Sequence, residues 1–148
     1  MLEICQVEPQ DIFSVIKIAH ESLPEHYQPI IFNIFYETFP QGFLVAKKYQ
    51  KIVGFIVGIK IDNKNAKILM LAIKKEYRRQ KIATNLIKKL ITEMLSNNIK
   101  IINLEVRTNN KTAISFYQKH GFKIEEKICG FYKDNEDAYI MKLDLNFN

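Results

Sequence analysis

Three stretches of the sequence combine residue types that could bind or activate a substrate. The first is a basic segment at residues 77–84, Tyr77-Arg78-Arg79-Gln80-Lys81-Ile82-Ala83-Thr84. It falls between a predicted strand and a predicted helix, where free backbone N–H groups and the positive end of the helix dipole suit a phosphate. Since charged residues at helix starts are also common on protein surfaces, the spacing alone favours a solvated basic turn over an anion site.

The second stretch pairs a carboxylate, Glu105, with a phenol, Tyr117. Glu105 lies near the C-terminal end of a predicted strand, the end at which ligands bind in α/β sheets. Its strand face otherwise carries Ile101 and Asn103, so we expect the carboxylate to be partly desolvated. A carboxylate can accept a proton and a phenol can donate one. From the residues alone, a carboxylate bonded to a turn and a tyrosine packed in the core are the simpler interpretation.

The third stretch consists of two predicted loops that carry aromatic residues and a carboxylate. Leu23-Pro24-Glu25-His26-Tyr27 and Gly130-Phe131-Tyr132 could orient a polar substrate through Glu25, Tyr27 and Tyr132. Aromatic residues that cover a neighbouring hydrophobic edge are an equally good interpretation. The three histidines show no metal-ligand spacing with one another or with cysteine, so we expect no metal site.

The elements that must position these residues follow in the order strand, two helices, three strands, helix, strand, helix, two strands. Strands are predicted over Leu2–Val7, Phe43–Lys48, Ile52–Ile61, Ala66–Ile73, Ile101–Val106, Phe122–Ile128 and Ala138–Leu145. Helices are predicted from Pro9 to a break at Ser22, and over Ile30–Phe39, Ile82–Ser96 and Lys111–His120. This order predicts an α/β fold, a mixed seven-stranded sheet with helices on both faces and a parallel crossover in the middle.

Local features refine this prediction. The unbroken apolar run Ile68–Ile73 is typical of a central strand that is buried on both faces. Asn110 is a suitable N-cap for the last helix, and Gly121 a suitable left-handed C-terminal cap.

Composition limits the class of protein. The chain has 148 residues, 47% hydrophobic and 26% charged, which predicts one globular domain over 1–148 and excludes a disordered chain, a collagen and a coiled-coil rod. The net charge of +6 and a pI near 9.2 are compatible with an anionic ligand, nucleic acid or an acidic membrane surface. An acidic N-terminus, short apolar runs and two cysteines without a framework predict a cytoplasmic protein with no membrane partner.

Taken together, the motifs resemble the GNAT superfamily of N-acetyltransferases, in its protein N-terminal acetyltransferase branch. Leu104-Glu105-Val106-Arg107-Thr108-Asn109-Asn110, then Ala113-Ile114-Ser115-Phe116-Tyr117 and Gly121-Phe122, resemble that branch's L-E-V-R-x-x-N-x-x-A-i-x-x-Y-x-x-x-G-F stretch. The Leu23–Tyr27 loop resembles the archaeal and eukaryotic enzymes, and the glutamate segment also the bacterial enzymes that acetylate ribosomal-protein alanine. Arg78–Ala83 is similar to the acetyl-CoA motif Q/R-x-x-G-x-G/A. Lys81 occupies the position of the first glycine of this motif. The lysine side chain must therefore point away from the pyrophosphate or itself supply charge to it.

This resemblance implies acetyl-CoA as co-substrate and direct attack by an amine, with Glu105 as base, Tyr117 as acid and Glu25 as the alternative base. Main-chain groups of the strand end would pair with the pantetheine arm, and the basic turn would hold the pyrophosphate. Asn110 and Tyr117 would lie near the thiol, and Tyr27 and Tyr132 would line the peptide site. The implied cofactor residues are Leu71, Ala72, Ile73, Arg78, Arg79, Gln80, Lys81, Ile82, Ala83, Thr84, Asn110 and Tyr117.

The implied acceptor is a protein or peptide N-terminus, of which a ribosomal protein is one possibility. Three alternatives stay open. A small amine such as a polyamine could be the acceptor, the chain could be a family member that has lost catalysis, or its charge could reflect a basic nucleic-acid-binding module.

Overall fold

A computed structural model describes residues 1–146 of the chain; the last two residues of the predicted domain lie outside the described ones. The strands are β1 (Leu2–Gln6), β2 (Phe43–Lys48), β3 (Lys51–Lys60), β4 (Asn65–Ile73), β5 (Ile101–Arg107), β6 (Lys123–Ile128) and β7 (Ala138–Asp144). The helices are α1 (Ile12–Ser22), α2 (Ile30–Thr38), α3 (Ile82–Ser96) and α4 (Lys111–Lys119). Short 3-10 turns occupy Pro9–Asp11, Pro40–Gly42 and Lys75–Tyr77, so the first α-helix begins three residues later than predicted.

The seven strands form one sheet in the order β1-β2-β3-β4-β5-β7-β6. Strands β4 and β5 are parallel, whereas β1 with β2, β2 with β3, β5 with β7 and β6 with β7 are antiparallel. The predicted α/β class with a mixed seven-stranded sheet is therefore confirmed. In the described residues no helix has the length and apolar character needed to cross a membrane.

The chain divides into two compact units. Unit 1 comprises Met1–Ile59 and Ile68–Asn97; unit 2 comprises Lys60–Lys67 and the chain from Asn98 onward. The prediction that 1–148 is a single domain stays a prediction, and each unit is described by itself.

Unit 1 has helices on both faces of its strands. On one face α1 and α2 form a core with the strands, which includes Val15, Ile18, Phe32, Phe55, Val57 and Met70. On the other face α3 lies directly against β3 at Gly58. A Cβ atom there would come within 2.7 Å of Met94 Cε and 3.2 Å of Leu90 Cδ1, so this glycine allows the close approach of the helix.

The prediction that β4 is buried on both faces is wrong. Ile68, Met70 and Ala72 are buried, but Leu69 and Leu71 between them are only half-buried. An unbroken apolar run has no alternation, so nothing in it indicates that the second face is only partly covered.

Unit 2 follows the predicted pattern closely. The two faces of β5 differ in burial, since Ile102, Leu104 and Val106 are buried while the residues between them are half-buried. The Asn110 side chain accepts the Ala113 N–H at 3.1 Å and caps α4. After α4, Gly121 has φ 94°, and the Phe122 N–H donates to the Tyr117 carbonyl at 3.0 Å. Both predicted caps are therefore confirmed.

Candidate active site

The turn that precedes α3 uses a left-handed backbone at two residues that are not glycine. Arg79 and Lys81 both have φ 63°, and Lys81 is the N-cap residue of α3 with no side-chain cap of the helix. Lys81 therefore adopts the conformation that a glycine would allow at the first glycine of the cofactor motif. Its side chain is exposed, and the amide groups of the first turn of α3 begin immediately after it.

Several side chains of this turn bond to other parts of unit 1. The Arg78 Nε donates to the Ile73 carbonyl at 3.0 Å, and Gln80 Oε1 accepts from Lys48 Nζ at 2.7 Å. The side chain of Ile82 is buried. Ile82 could therefore contact a ligand only through its main chain. Lys48 was not predicted to lie at this turn, because it belongs to β2 and is distant in sequence from Gln80.

The end of β4 has the side chains of a packed strand. Ala72 and Ile73 are buried and Leu71 is half-buried. On β3, a Cβ atom at Gly54 would come within 2.6 Å of Ile73 Cδ1 and 3.0 Å of the Ala72 carbonyl. These residues could therefore serve a pantetheine arm through main-chain groups, as the resemblance implies.

The loop between α1 and α2 borders a small cavity of about 220 Å³. Glu25 and Tyr27 line it together with Ala19, His20, Leu23, Pro24 and His26. Tyr27 is half-buried and packs against the core of unit 1. This agrees with the interpretation that the aromatic residues of the loop cover a neighbouring hydrophobic edge. Glu25 is also half-buried. The side chains of His20, Glu25, His26 and Tyr27 give the cavity polar groups that suit a small polar ligand. The carboxylate among them is that of Glu25.

In unit 2, Glu105 is ion-paired. Its Oε2 lies 2.7 Å from Lys67 Nζ, and the two side chains are 18% and 28% exposed. The predicted partial desolvation is confirmed, but the cation beside the carboxylate was not predicted. Lys67 belongs to the first residues of β4, and only the parallel pairing of β4 with β5 brings it to Glu105.

Tyr117 occupies a core position on α4. Its ring makes edge contacts with Phe116 at 5.2 Å and with Phe122 at 5.5 Å between centroids, and the residue is 8% exposed. Burial raises the pKa of Tyr117 above its ordinary value, because the charged phenolate is poorly solvated there. The hydroxyl is therefore protonated at neutral and mildly alkaline pH, which is the state that a proton donor requires.

Arg107 fixes the loop between β6 and β7 to the end of β5. Its Nη1 donates to both carboxylate oxygens of Asp134, at 3.1 and 2.9 Å, and its guanidinium lies 4.2 Å from the centre of the Tyr132 ring. The backbone N–H of Glu136 and the Arg107 guanidinium hold the pKa of Asp134 below its ordinary value. Thr108 adds a hydrogen bond from its hydroxyl to Glu136 at 2.7 Å. Arg107 was not predicted as a site residue, although it belongs to the recognised L-E-V-R segment.

Within residues 1–146, no three histidine, cysteine, aspartate or glutamate side chains lie together as metal ligands would. Unit 1 presents a basic helix start and a strand end, and unit 2, taken by itself, presents a carboxylate and a phenol. These are the groups that binding of an anionic donor and acid–base catalysis of acyl transfer require.

Comparison with known proteins assigns the class. The model of the Acetyltransferase (GNAT) family matches residues 11–122, which is more than half of the chain. The chain belongs to this family of acetyltransferases, and the predicted fold, enzyme class and acetyl-CoA co-substrate are confirmed.

Individual relatives carry more specific names. An N-alpha-acetyltransferase of Saccharolobus solfataricus is 35% identical over 147 residues, covering 91% of this chain and 88% of the relative. Human N-alpha-acetyltransferase 30 is 31% identical over 136 residues, covering 88% of this chain and 37% of the relative. The crystal structure of Ard1 from Thermoplasma volcanium aligns with a TM-score of 0.94 at 34% identity and covers 99% of each chain. The predicted resemblance to N-terminal acetyltransferases is confirmed.

Proposed function

We propose that the chain transfers the acetyl group of acetyl-CoA to the α-amino group of a protein or peptide N-terminus. The observation that carries this proposal is in unit 2, where a half-buried carboxylate on β5 and a phenol held in its protonated form on α4 occupy the L-E-V-R…Y spacing. The names of the similar archaeal and human proteins support the same acceptor.

The chemistry of the acceptor favours an α-amine. Its pKa is about 7.7–8.0, so roughly a tenth of it is neutral at pH 7, whereas a lysine amine with a pKa of about 10.4 is neutral in fewer than about one molecule in a thousand. A modest base is therefore sufficient for an N-terminus. Glu105, directly or through a water molecule, accepts the proton that the amine loses.

The reaction is a direct transfer between the two substrates. The amine nitrogen bonds to the thioester carbon, the carbon–sulfur bond breaks, and the electron pair leaves on the CoA sulfur. Tyr117 gives its hydroxyl proton to that sulfur, so that CoA leaves as a thiol. Its buried position keeps the proton available, and a thiolate is a good enough leaving group that modest assistance is sufficient.

In unit 1 the donor would be held mainly by the backbone. The amide groups at the start of α3, with Arg79 and Lys81 beside them, suit the pyrophosphate. Main-chain groups of Leu71–Ile73 suit the pantetheine arm. In unit 2, Asn110 would hold the arm near its thiol end, although its amide oxygen also caps α4.

Glu25, Tyr27 and Tyr132 are assigned to the acceptor. Glu25 is the alternative base, because its loop resembles the archaeal and eukaryotic branch. A ribosomal protein is one candidate acceptor, and the cytoplasm, where new N-termini emerge from the ribosome, is the proposed location.

The test compares three acceptors with radiolabelled acetyl-CoA. One peptide has a free α-amine and a blocked lysine, the second has a formylated N-terminus and a free lysine, and the third acceptor is spermidine. We expect the α-amine to react at least about 100-fold faster than the lysine, following the neutral fractions. Faster transfer to spermidine would support a small-amine acetyltransferase instead. Binding of acetyl-CoA without transfer to any of the three would indicate a member that has lost catalysis.

A further inference from the structure

Lys48 reaches the turn before α3 because of the face of β2 on which it lies. Leu44 of β2 pairs with Ile56 of β3, and Ile56 shares its strand face with Gly58, the residue that α3 packs against. Side chains alternate along a strand, so Lys48, four residues after Leu44, lies on the same face. Lys48 is the last residue of β2, and its side chain therefore lies on the side of the sheet that α3 covers.

The ammonium of Lys48 contacts two residues of this turn. Its Nζ donates to Gln80 Oε1 at 2.7 Å, the length of a charge-assisted hydrogen bond. The same atom lies 5.9 Å from the centre of the Tyr77 ring, near the outer limit of a cation–π contact. Lys48 is half-buried whereas Gln80 is exposed. The strand therefore fixes the lysine, and the lysine in turn fixes the more exposed glutamine.

This glutamine lies between the two left-handed residues of the turn. Arg79 and Lys81 both have φ 63°, a conformation that residues other than glycine disfavour. Other side-chain bonds act on either side of the pair. Arg78 Nε donates to the Ile73 carbonyl at 3.0 Å, and Asn85 Nδ2 donates to the Lys81 carbonyl at 3.0 Å. The bond from β2 acts on the centre of the turn, where the backbone conformation is the least favourable.

We propose that Lys48 is a positioning residue for acetyl-CoA, which holds the turn before α3 in its left-handed conformation through Gln80. The proposal rests on the place of the pyrophosphate in the proposed function. Backbone amides bind an anion best when they are already in position, because ordering a turn on binding costs affinity. A bond from a neighbouring strand lowers that cost. The ammonium also adds positive charge near the anion, and a second lysine of the hairpin allows this contribution to be measured separately.

Calorimetric titration compares the Kd of acetyl-CoA in the parent, Lys48→Met and Lys51→Met. Lys51 lies directly opposite Lys48 in the hairpin and is exposed, so Lys51→Met removes the same charge and leaves the bond to Gln80 in place. We expect Kd to rise about three- to tenfold in Lys48→Met, the fold-change that a hydrogen bond of ordinary net strength gives. It should rise less than about twofold in Lys51→Met, because exposed charges are screened. An unchanged Kd in Lys48→Met, or an equal rise in both variants, would overturn the proposal.

A double-mutant cycle tests whether Lys48 acts through Gln80. In a Gln80→Leu background the lysine has lost its acceptor, so adding Lys48→Met should raise Kd no more than Lys51→Met does in the parent. Residues that act through one contact are non-additive in this way. If Lys48→Met raises Kd by the same factor in both backgrounds, the lysine acts by its charge alone, and its positioning role is overturned.

A donor without the pyrophosphate separates positioning from general damage to the structure. S-acetylpantetheine carries the thioester and the pantetheine arm but neither phosphate nor nucleotide. Its Kd, followed by chemical-shift titration, should be the same in the parent and in Lys48→Met. An equal loss of affinity for S-acetylpantetheine and for acetyl-CoA would overturn the proposal, because the substitution would then disturb more than the turn.

NMR of the ¹⁵N-labelled protein separates this proposal from the proposed function. In the parent, acetyl-CoA should shift the amide signals of residues 81–84. In Lys48→Met without ligand, the order parameters of residues 79–81 should fall from about 0.85 toward about 0.6. Shifted signals in the parent with unchanged order parameters in the variant would overturn the role of Lys48 and leave the donor in its proposed place. Lower order parameters in the variant, with signals that acetyl-CoA does not shift in the parent, would overturn the place of the donor and with it the role of Lys48 in binding.

Discussion

The turn before α3 and the segment from β5 to α4 differ in which part of their residues would serve the reaction. In the turn it is the backbone. Lys81 replaces the expected glycine and yet has the left-handed conformation, with an exposed side chain. In the β5–α4 segment the side chains are the useful part, because Glu105 is fixed by an ion pair and Tyr117 by aromatic packing. Residue identity is therefore a weaker guide to function in the turn than in the β5–α4 segment.

The largest expected effect tests the side-chain half of this comparison. We expect Tyr117→Phe to lower kcat by about 10²-fold, the low end of general acid catalysis, because a thiolate leaves fairly well unaided. The phenyl ring still packs against Phe122, so the affinity for acetyl-CoA and the melting temperature should change little. Steady-state kinetics and calorimetric titration measure both. Full activity in this variant would mean that Tyr117 serves only the core.

The raised pKa of Tyr117 also predicts how kcat depends on pH on the alkaline side. Burial raises the pKa of Tyr117, so the hydroxyl keeps its proton well above neutral pH and the acid stays competent. We therefore expect kcat of the parent to show no decline up to about pH 9.5, a limit near the ordinary tyrosine pKa of about 10. A decline in kcat centred near pH 8, in a protein shown by circular dichroism to remain folded, would argue against Tyr117 as the acid.

A smaller effect is expected from the loop that Arg107 holds. Arg107→Met removes both the bonds to Asp134 and the contact with the Tyr132 ring, so the loop should be less ordered. We expect KM for the peptide to rise about three- to tenfold with kcat nearly unchanged, the pattern of a lost positioning contact. Arg107→Lys keeps the charge but not the planar contact with the Tyr132 ring. Its KM for the peptide should therefore lie between that of the parent and that of Arg107→Met. A fall in kcat at unchanged KM would instead connect Arg107 to the chemical step.

The smallest effect tests the backbone half of the comparison. A side chain at a left-handed position costs about 1 kcal/mol relative to glycine, and Lys81 is an N-cap residue, where glycine is well tolerated. We therefore expect Lys81→Gly to exceed Lys81→Ala in unfolding free energy by about 1 kcal/mol in denaturant titrations. The affinity of Lys81→Gly for acetyl-CoA should equal or exceed that of the parent. A tenfold loss of affinity in both variants would show that the lysine side chain itself binds the phosphate.

Much of the fold could be predicted because its signals are local. The predicted bounds of α3, Ile82–Ser96, agree with the structure, since the apolar stripe repeats at helical spacing over its length. The caps at Asn110 and Gly121 follow from residue types that suit those positions. The face assignment of β5 follows from strict alternation.

The site could be predicted only in part, because its remaining features depend on distant residues or on the backbone. The partners of Glu105 and Gln80 are Lys67 and Lys48, which come close only through the pairing and packing of strands. The left-handed conformation of Lys81 could not be read from a residue type that disfavours it.

The central claim is that Glu105 takes the amine proton whereas Glu25 orients the acceptor, and the most direct test compares Glu105→Gln with Glu25→Gln. The measurement is kcat and KM for one peptide from pH 6 to pH 9. We expect Glu105→Gln to lower kcat about tenfold at pH 7 and to approach the parent at pH 9, where the α-amine is already neutral. Glu25→Gln should instead raise KM at every pH. Loss of turnover in Glu25→Gln, with parent-like behaviour of Glu105→Gln, would contradict the account and make the loop glutamate the base.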